Sequence, residues 1–87
     1  MQLADTHMLV EGDVVKVHEG ARRPNEHRGP FIVTMAGTKD GSLGLCRMTK
    51  DGNPDKRYTP WTGNYAGYTW ECLGNRLQAL KRTYAAI

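Results

Sequence analysis

The sequence has few of the features that mark secreted or redox-active domains. It contains only two cysteines, Cys46 and Cys72, and they lack the Cys-x-x-Cys spacing of metal or redox sites. A secreted domain of this size would normally carry more disulfides. Free cysteine behaves as a small apolar residue, so we expect two reduced, buried thiols.

Long hydrophobic runs are also missing. No apolar run approaches the eighteen or so residues that span a bilayer, and the start of the chain lacks the basic-then-apolar order of a signal peptide. The three histidines and two cysteines show no metal-ligand spacing. We therefore expect a cytoplasmic protein without a membrane partner and without a cofactor.

Length and charge bound the remaining classes. A chain of 87 residues is one domain, 1–87, and a domain this small buries only about 60–65% of its unfolded surface. The net charge is +3, with basic clusters at 22–28 and 76–82. Such clusters suit a polyanion such as nucleic acid, although +3 also fits an ordinary solvated surface.

The first clear element is a β-strand. From Met8 to Val17 the density of β-branched residues rises, and apolar residues alternate with others. The period of two places Val15 and Val17 inward and leaves Val14 and Lys16 outward.

A β-hairpin is predicted over 31–49. Two alternating apolar segments flank an Asp-Gly turn, which is typical of hairpins. In the second of these strands we expect Cys46 and Met48 to face the core, with Arg47 and Thr49 outward.

A further strand is predicted over 68–73. Tyr68, Trp70 and Cys72 share one side of the alternation and should be buried. The preceding segment, 60–67, carries Pro60 and several glycines, which favour turns over a long central strand.

The chain ends in a predicted amphipathic helix over 75–86. Asn75 is a suitable N-cap, and an apolar stripe follows at helical spacing. The stripe consists of Leu77, Leu80, Tyr84 and Ile87. A dangling tail is the alternative, and residues 1–8 predict no defined element.

The order Gly12-Asp13-x-Val15-x-Val17-x-x-Gly20 resembles the opening of KOW-type and other SH3-like barrels. In such barrels glycine permits the turn, aspartate caps it and the alternating valines begin the core. The resemblance implies a small SH3-like barrel, with another small β-barrel or roll as the alternative. Together with the predicted helix, we expect a mainly β protein, a barrel of about five strands with a short C-terminal helix.

The same opening is similar to that of MazF/PemK-type endoribonuclease toxins. A Gly-Asp-aliphatic strand leads through a polar loop to the aliphatic strand that starts at Pro30. Metal-free RNA cleavage needs a proton acceptor, a proton donor and a cation beside the phosphorane. The resemblance implies that Glu26, His27, Arg28 and Thr49 would fill these roles.

Five of the seven aromatic residues lie within 58–70, beside Lys56 and Arg57. Rings between basic residues stack single-stranded nucleic acid and also grip proline-rich peptides. The alternative is structural, with Tyr68 and Trp70 filling the core while Trp61 and Tyr65 cover its end.

We therefore expect a non-enzymatic binding or adaptor module of mobile-element origin, such as a bacteriophage protein. Its partner would be a protein or nucleic acid, with a slight preference for protein because +3 is modest for a nucleic-acid binder. A metal-independent endoribonuclease is the alternative. The expected binding residues are Arg22, Arg23, His27, Arg28, Lys56, Arg57, Tyr58, Trp61 and Tyr65.

Overall fold

A computed structural model describes residues 2–20 and 25–84, and for Tyr84 the backbone alone. The elements in chain order are β1 (Gln2–Asp5), a short 3-10 helix (Thr6–Met8), β2 (Asp13–Glu19), β3 (Phe31–Met35), β4 (Ser42–Arg47), β5 (Trp61–Asn64), β6 (Thr69–Asn75) and α1 (Leu77–Tyr84). The protein is mainly β with one short C-terminal helix, as predicted.

The six strands form one antiparallel sheet in the order β1-β6-β2-β3-β4-β5. The strands β1 and β5 occupy its two edges, so the sheet is open, and the SH3-like barrel stays a prediction. The two ends of the sheet are nevertheless joined by a side chain. The Thr6 hydroxyl, just after β1, donates a hydrogen bond to the Tyr65 carbonyl just after β5, at 2.8 Å.

Two strands depart from the predicted pattern. The strand β1 forms in a segment for which the sequence predicted no element, because Gln2–Asp5 pairs residue by residue with 69–72 of β6. The prediction of continued turns over 60–67 was wrong for β5, which pairs with β4 from Ser42↔Asn64 to Leu45↔Trp61. The sheet therefore has six strands where about five were expected.

One face of the sheet holds the main core. Its buried members come from β2, β3, β4 and β6 and from the loops before β2 and β6: Leu9, Val15, Val17, Phe31, Val33, Leu43, Leu45, Tyr68 and Trp70. Trp70 is the largest fully buried side chain. Cys72 packs against this core but is only half-buried, so the prediction of a buried thiol is confirmed for Cys46 and was wrong for Cys72. The predicted inward positions of β2 and β6 are thus confirmed, and Trp61 and Tyr65 cover the core as the structural alternative expected.

The opposite face of the sheet is covered as well, by α1. Leu80 packs there with Ile32 and Cys46, and Met48 adds to this second cluster. Val14 pairs with Ile32, so it lies on the same face and is buried. The prediction that Val14 points outward to solvent was wrong because the helix covers the side that alternation alone assigns to water.

The helix begins where the sequence indicated. Asn75 caps it through its side-chain oxygen, which accepts a hydrogen bond from the Leu77 N–H at 3.0 Å. The backbone carbonyl of Gly12 accepts a hydrogen bond from the Arg76 N–H at 2.8 Å, which ties the start of the helix to the turn before β2. The predicted residues 85–86 and Ile87 lie outside the described residues.

Candidate binding groove

A groove opens at the rim of the main core, with a volume of about 160 Å³. Its lining comes from β2, β3, β4, β5 and the segments next to them: Val17, Glu26, His27, Phe31, Arg47, Trp61 and Tyr65. The register explains this gathering. Phe31 pairs with Arg47 and Leu45 pairs with Trp61, so these four side chains share the core face of the sheet.

Arg47 is the member that the sequence placed incorrectly. We expected it to point outward, yet it lies on the same face as Leu43 and Leu45 and is half-buried in the groove. Cys46, its neighbour, is buried on the helix side instead. Because both faces of β4 are covered, alternation could not tell which of them is the main core.

The aromatic rings of the groove are held by one another. The Trp61 indole N–H donates a hydrogen bond to the Tyr65 hydroxyl at 2.9 Å. The rings of Trp61 and Phe31 meet edge to face, with centroids 5.6 Å apart. The His27 ring lies 5.2 Å from that of Phe31 on a tilted plane. These contacts fix the ring orientations before any ligand arrives.

Beside the groove, Arg47 continues into a second aromatic contact. Its guanidinium carbon lies 4.6 Å from the centre of the Tyr58 ring, and that of Arg57 lies 5.9 Å from the same ring. Tyr58 is 43% exposed. A cation within about 6 Å of an aromatic face is attracted to it, so the two arginines and Tyr58 form one basic-aromatic ledge.

The ledge is anchored by a buried carboxylate. Asp55 accepts hydrogen bonds from Arg57 Nε at 3.0 Å and from Arg57 Nη2 at 2.8 Å. These side-chain hydrogen bonds hold the pKa of Asp55 below its ordinary value, and Asp55 in turn raises the pKa of the guanidinium. The backbone N–H of Asp55 donates to the Arg47 carbonyl at 2.8 Å, which ties the loop to the end of β4.

Two further side chains of the groove have defined polar partners. The Glu26 carboxylate accepts a hydrogen bond from the buried Tyr68 hydroxyl, which lies 3.1 Å from Oε1 and 3.2 Å from Oε2. His27 Nδ1 accepts a hydrogen bond from the Gly29 N–H at 3.1 Å. In the neutral imidazole the proton is therefore on Nε2.

The structure brings some of the predicted binding residues together. His27, Trp61 and Tyr65 line the groove, and Arg57 and Tyr58 form the ledge beside it. Lys56 and Arg28 are exposed on the flanking segments, and Arg22 and Arg23 lie outside the described residues. Arg47 was missed because its role depends on which face of β4 covers the core.

The four residues implied by the toxin resemblance are divided. Glu26 and His27 line the groove, whereas Arg28 and Thr49 are not among the described residues that do so. The Thr49 hydroxyl instead accepts a hydrogen bond from the Asn53 N–H within the turn after β4, at 3.3 Å.

No protein-family model, curated protein or solved structure matches this chain. Within 2–20 and 25–84, no helix is long and apolar enough to cross a membrane. No group of three or more His, Cys, Asp or Glu side chains in the same ranges is placed to hold a metal ion.

Proposed function

We propose that the protein is a non-enzymatic binding module that takes single-stranded nucleic acid into this groove. The observation that carries the proposal is the hydrogen bond between the Trp61 indole N–H and the Tyr65 hydroxyl. This hydrogen bond engages the only polar group of the indole. What Trp61 has left to offer a ligand in the groove is therefore the surface of its ring. Ring faces stack any nucleobase, at about 1–3 kcal/mol per base.

The charges around the groove support a polyanionic ligand. The groove, its ledge and the flanking segments carry the cations Arg28, Arg47, Lys56 and Arg57, against the carboxylates Glu26 and Asp55. Asp55 is already paired with Arg57. Backbone phosphates on either side of a stacked base would lie against the arginines of the ledge.

A proline-rich peptide is the competing ligand, and the sequence slightly favoured a protein partner. An extended peptide presents backbone carbonyls with no partners of their own, so a peptide groove needs free hydrogen-bond donors beside its aromatic rings. The engaged indole of Trp61 is a poor donor of this kind. Arg47 also lines the groove and carries guanidinium donors that suit either ligand, so the preference for nucleic acid rests on the cations around the groove.

The two tryptophans provide an internal reporter for the test. Trp61 lines the groove, whereas Trp70 is fully buried and donates its indole N–H to the Thr6 hydroxyl at 2.9 Å. In an NMR titration with a single-stranded thymidine nonamer at low salt, we expect the Trp61 indole signal to shift and that of Trp70 to stay. Shifts of Trp61 with a proline-rich decapeptide but not with the nonamer would replace nucleic acid by a protein partner.

A matched pair of charge variants locates the phosphate contact. Arg47→Gln removes a cation of the groove, and Lys39→Gln removes an exposed cation from the turn at the other end of the β3–β4 hairpin. We expect Arg47→Gln to weaken binding and to reduce the salt slope by about 0.7, the value for one phosphate of a single strand, while Lys39→Gln changes neither. Equal effects of both variants would indicate diffuse attraction without use of the groove.

Incubation with a long RNA separates binding from catalysis. We expect the RNA to stay intact. Cleavage that is lost in His27→Ala would replace the binding module by a ribonuclease centred on Glu26 and His27. A mobile-element origin and a cytoplasmic location form part of the same proposal and rest on composition alone.

A further inference from the structure

The edge of the sheet formed by β1 lies beside an apolar surface. The strand pairs with β6 on one side, and its other side is an edge of the sheet. In an antiparallel strand every second residue directs its N–H and C=O groups away from the paired neighbour, so this edge offers hydrogen bonds to a further strand. Four of the six large apolar side chains described as exposed lie at this end of the protein: Leu3 (44% exposed), Met8 (57%), Val10 (54%) and Leu73 (49%).

Each part of this surface combines an apolar side chain with a carboxylate. Leu3 pairs with Glu71, and Leu73 follows Glu71 by two residues, so these three share one face of the sheet. Met8 and Asp13 line a cavity of about 360 Å³ next to β1. Its other lining residues come from β1 and from the end of β6: Gln2, Leu3, Ala4, Cys72, Gly74 and Asn75.

The charge at this end is negative, although the chain as a whole has a net charge of +3. Four carboxylates stand against one lysine, which gives a local charge of −3: Asp5, Glu11, Asp13 and Glu71 against Lys16, the partner of Glu71 on β2. A nucleic acid would be repelled here, and so would the same acidic edge of a second copy. A segment that carries lysine or arginine would be attracted.

We propose that the β1 edge binds an extended segment of a protein partner, in which aliphatic residues alternate with lysine or arginine. The segment adds to β1 as a further strand. Main-chain hydrogen bonds hold it, its aliphatic side chains contact Leu3, Leu73 and Met8, and its cations face the surrounding carboxylates. The inference goes beyond the proposed function, because it assigns a protein partner to the acidic end and leaves the groove to nucleic acid.

Three synthetic heptapeptides test the period and the charge together. The probe alternates four lysines with three valines. One control has the same composition with the three valines in a central block, and the other replaces every lysine of the probe by glutamate. In NMR titrations at low salt, we expect the alternating lysine peptide to shift the amide signals of Gln2–Asp5 and to slow hydrogen exchange of the amides that point outward, while the Trp61 indole signal stays. Neither control peptide should do this.

A matched pair of methionine variants locates the contact. Met8→Gln removes an exposed apolar side chain next to β1, and Met35→Gln removes one that is 46% exposed at the end of β3. We expect Met8→Gln and Leu3→Gln each to weaken binding of the alternating peptide about fivefold, the effect of leaving roughly half of a large apolar side chain in water. Met35→Gln should leave the affinity unchanged. All three side chains are exposed, so none of these variants removes a part of the core.

The outcomes separate strand addition from its alternatives. Equal binding of the alternating and block peptides would indicate general charge attraction and would overturn the proposal. Shifts at Gln2–Asp5 that depend on protein concentration without any peptide would make a second copy the occupant of the edge. Absence of any shift there with the alternating peptide would also overturn the proposal, and it would leave single-strand binding in the groove intact.

Discussion

The Thr6 side chain links the two ends of the open sheet, so a substitution at this position tests directly what stabilises the fold. Its hydroxyl donates to the Tyr65 carbonyl at 2.8 Å and accepts from the Trp70 indole N–H at 2.9 Å. Thr6 is 4% exposed and Trp70 is fully buried. Thr6→Val keeps the shape of the side chain and removes both hydrogen bonds.

The expected cost follows from the groups that are left behind. The Trp70 N–H would stay in the core without an acceptor, at about 1–3 kcal/mol. The Tyr65 carbonyl would lose a neutral hydrogen bond, worth about 0.5–1.5 kcal/mol, part of which water can replace at the sheet edge. The free energy of unfolding should fall by about 2–4 kcal/mol, a large share of the roughly 4–13 kcal/mol typical of a chain this long.

Urea unfolding of the wild type, Thr6→Val and Thr6→Ser measures this change in free energy. In thermal unfolding, the Tm of Thr6→Val should fall by about 10–20 °C. The serine variant retains the hydroxyl and loses one methyl group, so it should cost about 1 kcal/mol. If serine destabilises the protein more than valine does, the methyl group and not the hydrogen bonds stabilises this site, and the reasoning is refuted.

Three further predictions concern the helix, its junction and the ledge. Gly12→Ala should cost about 2–4 kcal/mol in urea unfolding, because φ is +91° there and a Cβ would lie 2.7 Å from the Leu77 Cα; a neutral effect would contradict this close approach. Leu80→Ala should cost about 2–4 kcal/mol by the same measurement, whereas a dangling helix would show almost no loss. Arg57→Gln should raise the pKa of Asp55 in an NMR titration. The lowered pKa of Asp55 stabilises the fold at pH values above the pKa of an unfolded aspartate, and this contribution is lost as the pH falls through the pKa of folded Asp55. The free energies of unfolding of the wild type and the variant should therefore converge in acid. A difference in stability that persists there would show that the ion pair is not its cause.

The elements that could be predicted from the sequence are those specified by local pattern. The alternation of Val15 and Val17, the hairpin over 31–49 and the Asn75 cap each depend on neighbouring residues, and each is confirmed. The strands β1 and β5 depend on partners far along the chain. The segment Trp61–Asn64 has the composition of a turn, and it becomes a strand because β4 offers it an unpaired edge.

The site was harder to predict for a related reason. The sequence selected His27 and Trp61 by residue type, and both line the groove. Glu26 was predicted only as part of the ribonuclease alternative, and Arg47 was predicted to point outward to solvent. Which face of a strand borders the main core depends on whether a helix covers the other face, and that is a property of the tertiary structure.

Arg47 also explains why a groove exists at this place. Along the core face of β4 the series runs Leu43, Leu45, Arg47, and the two leucines are fully buried. An apolar residue at position 47 would continue the core along β4 beside Phe31, its partner on β3. A guanidinium is costly to bury without a paired charge, so the core has to end at this residue. The strand β4 therefore contributes buried residues to the core and also the residue at which the core ends, next to the groove that Trp61 lines. The position of the groove follows from this change of residue type along one face of β4, without a local sequence motif.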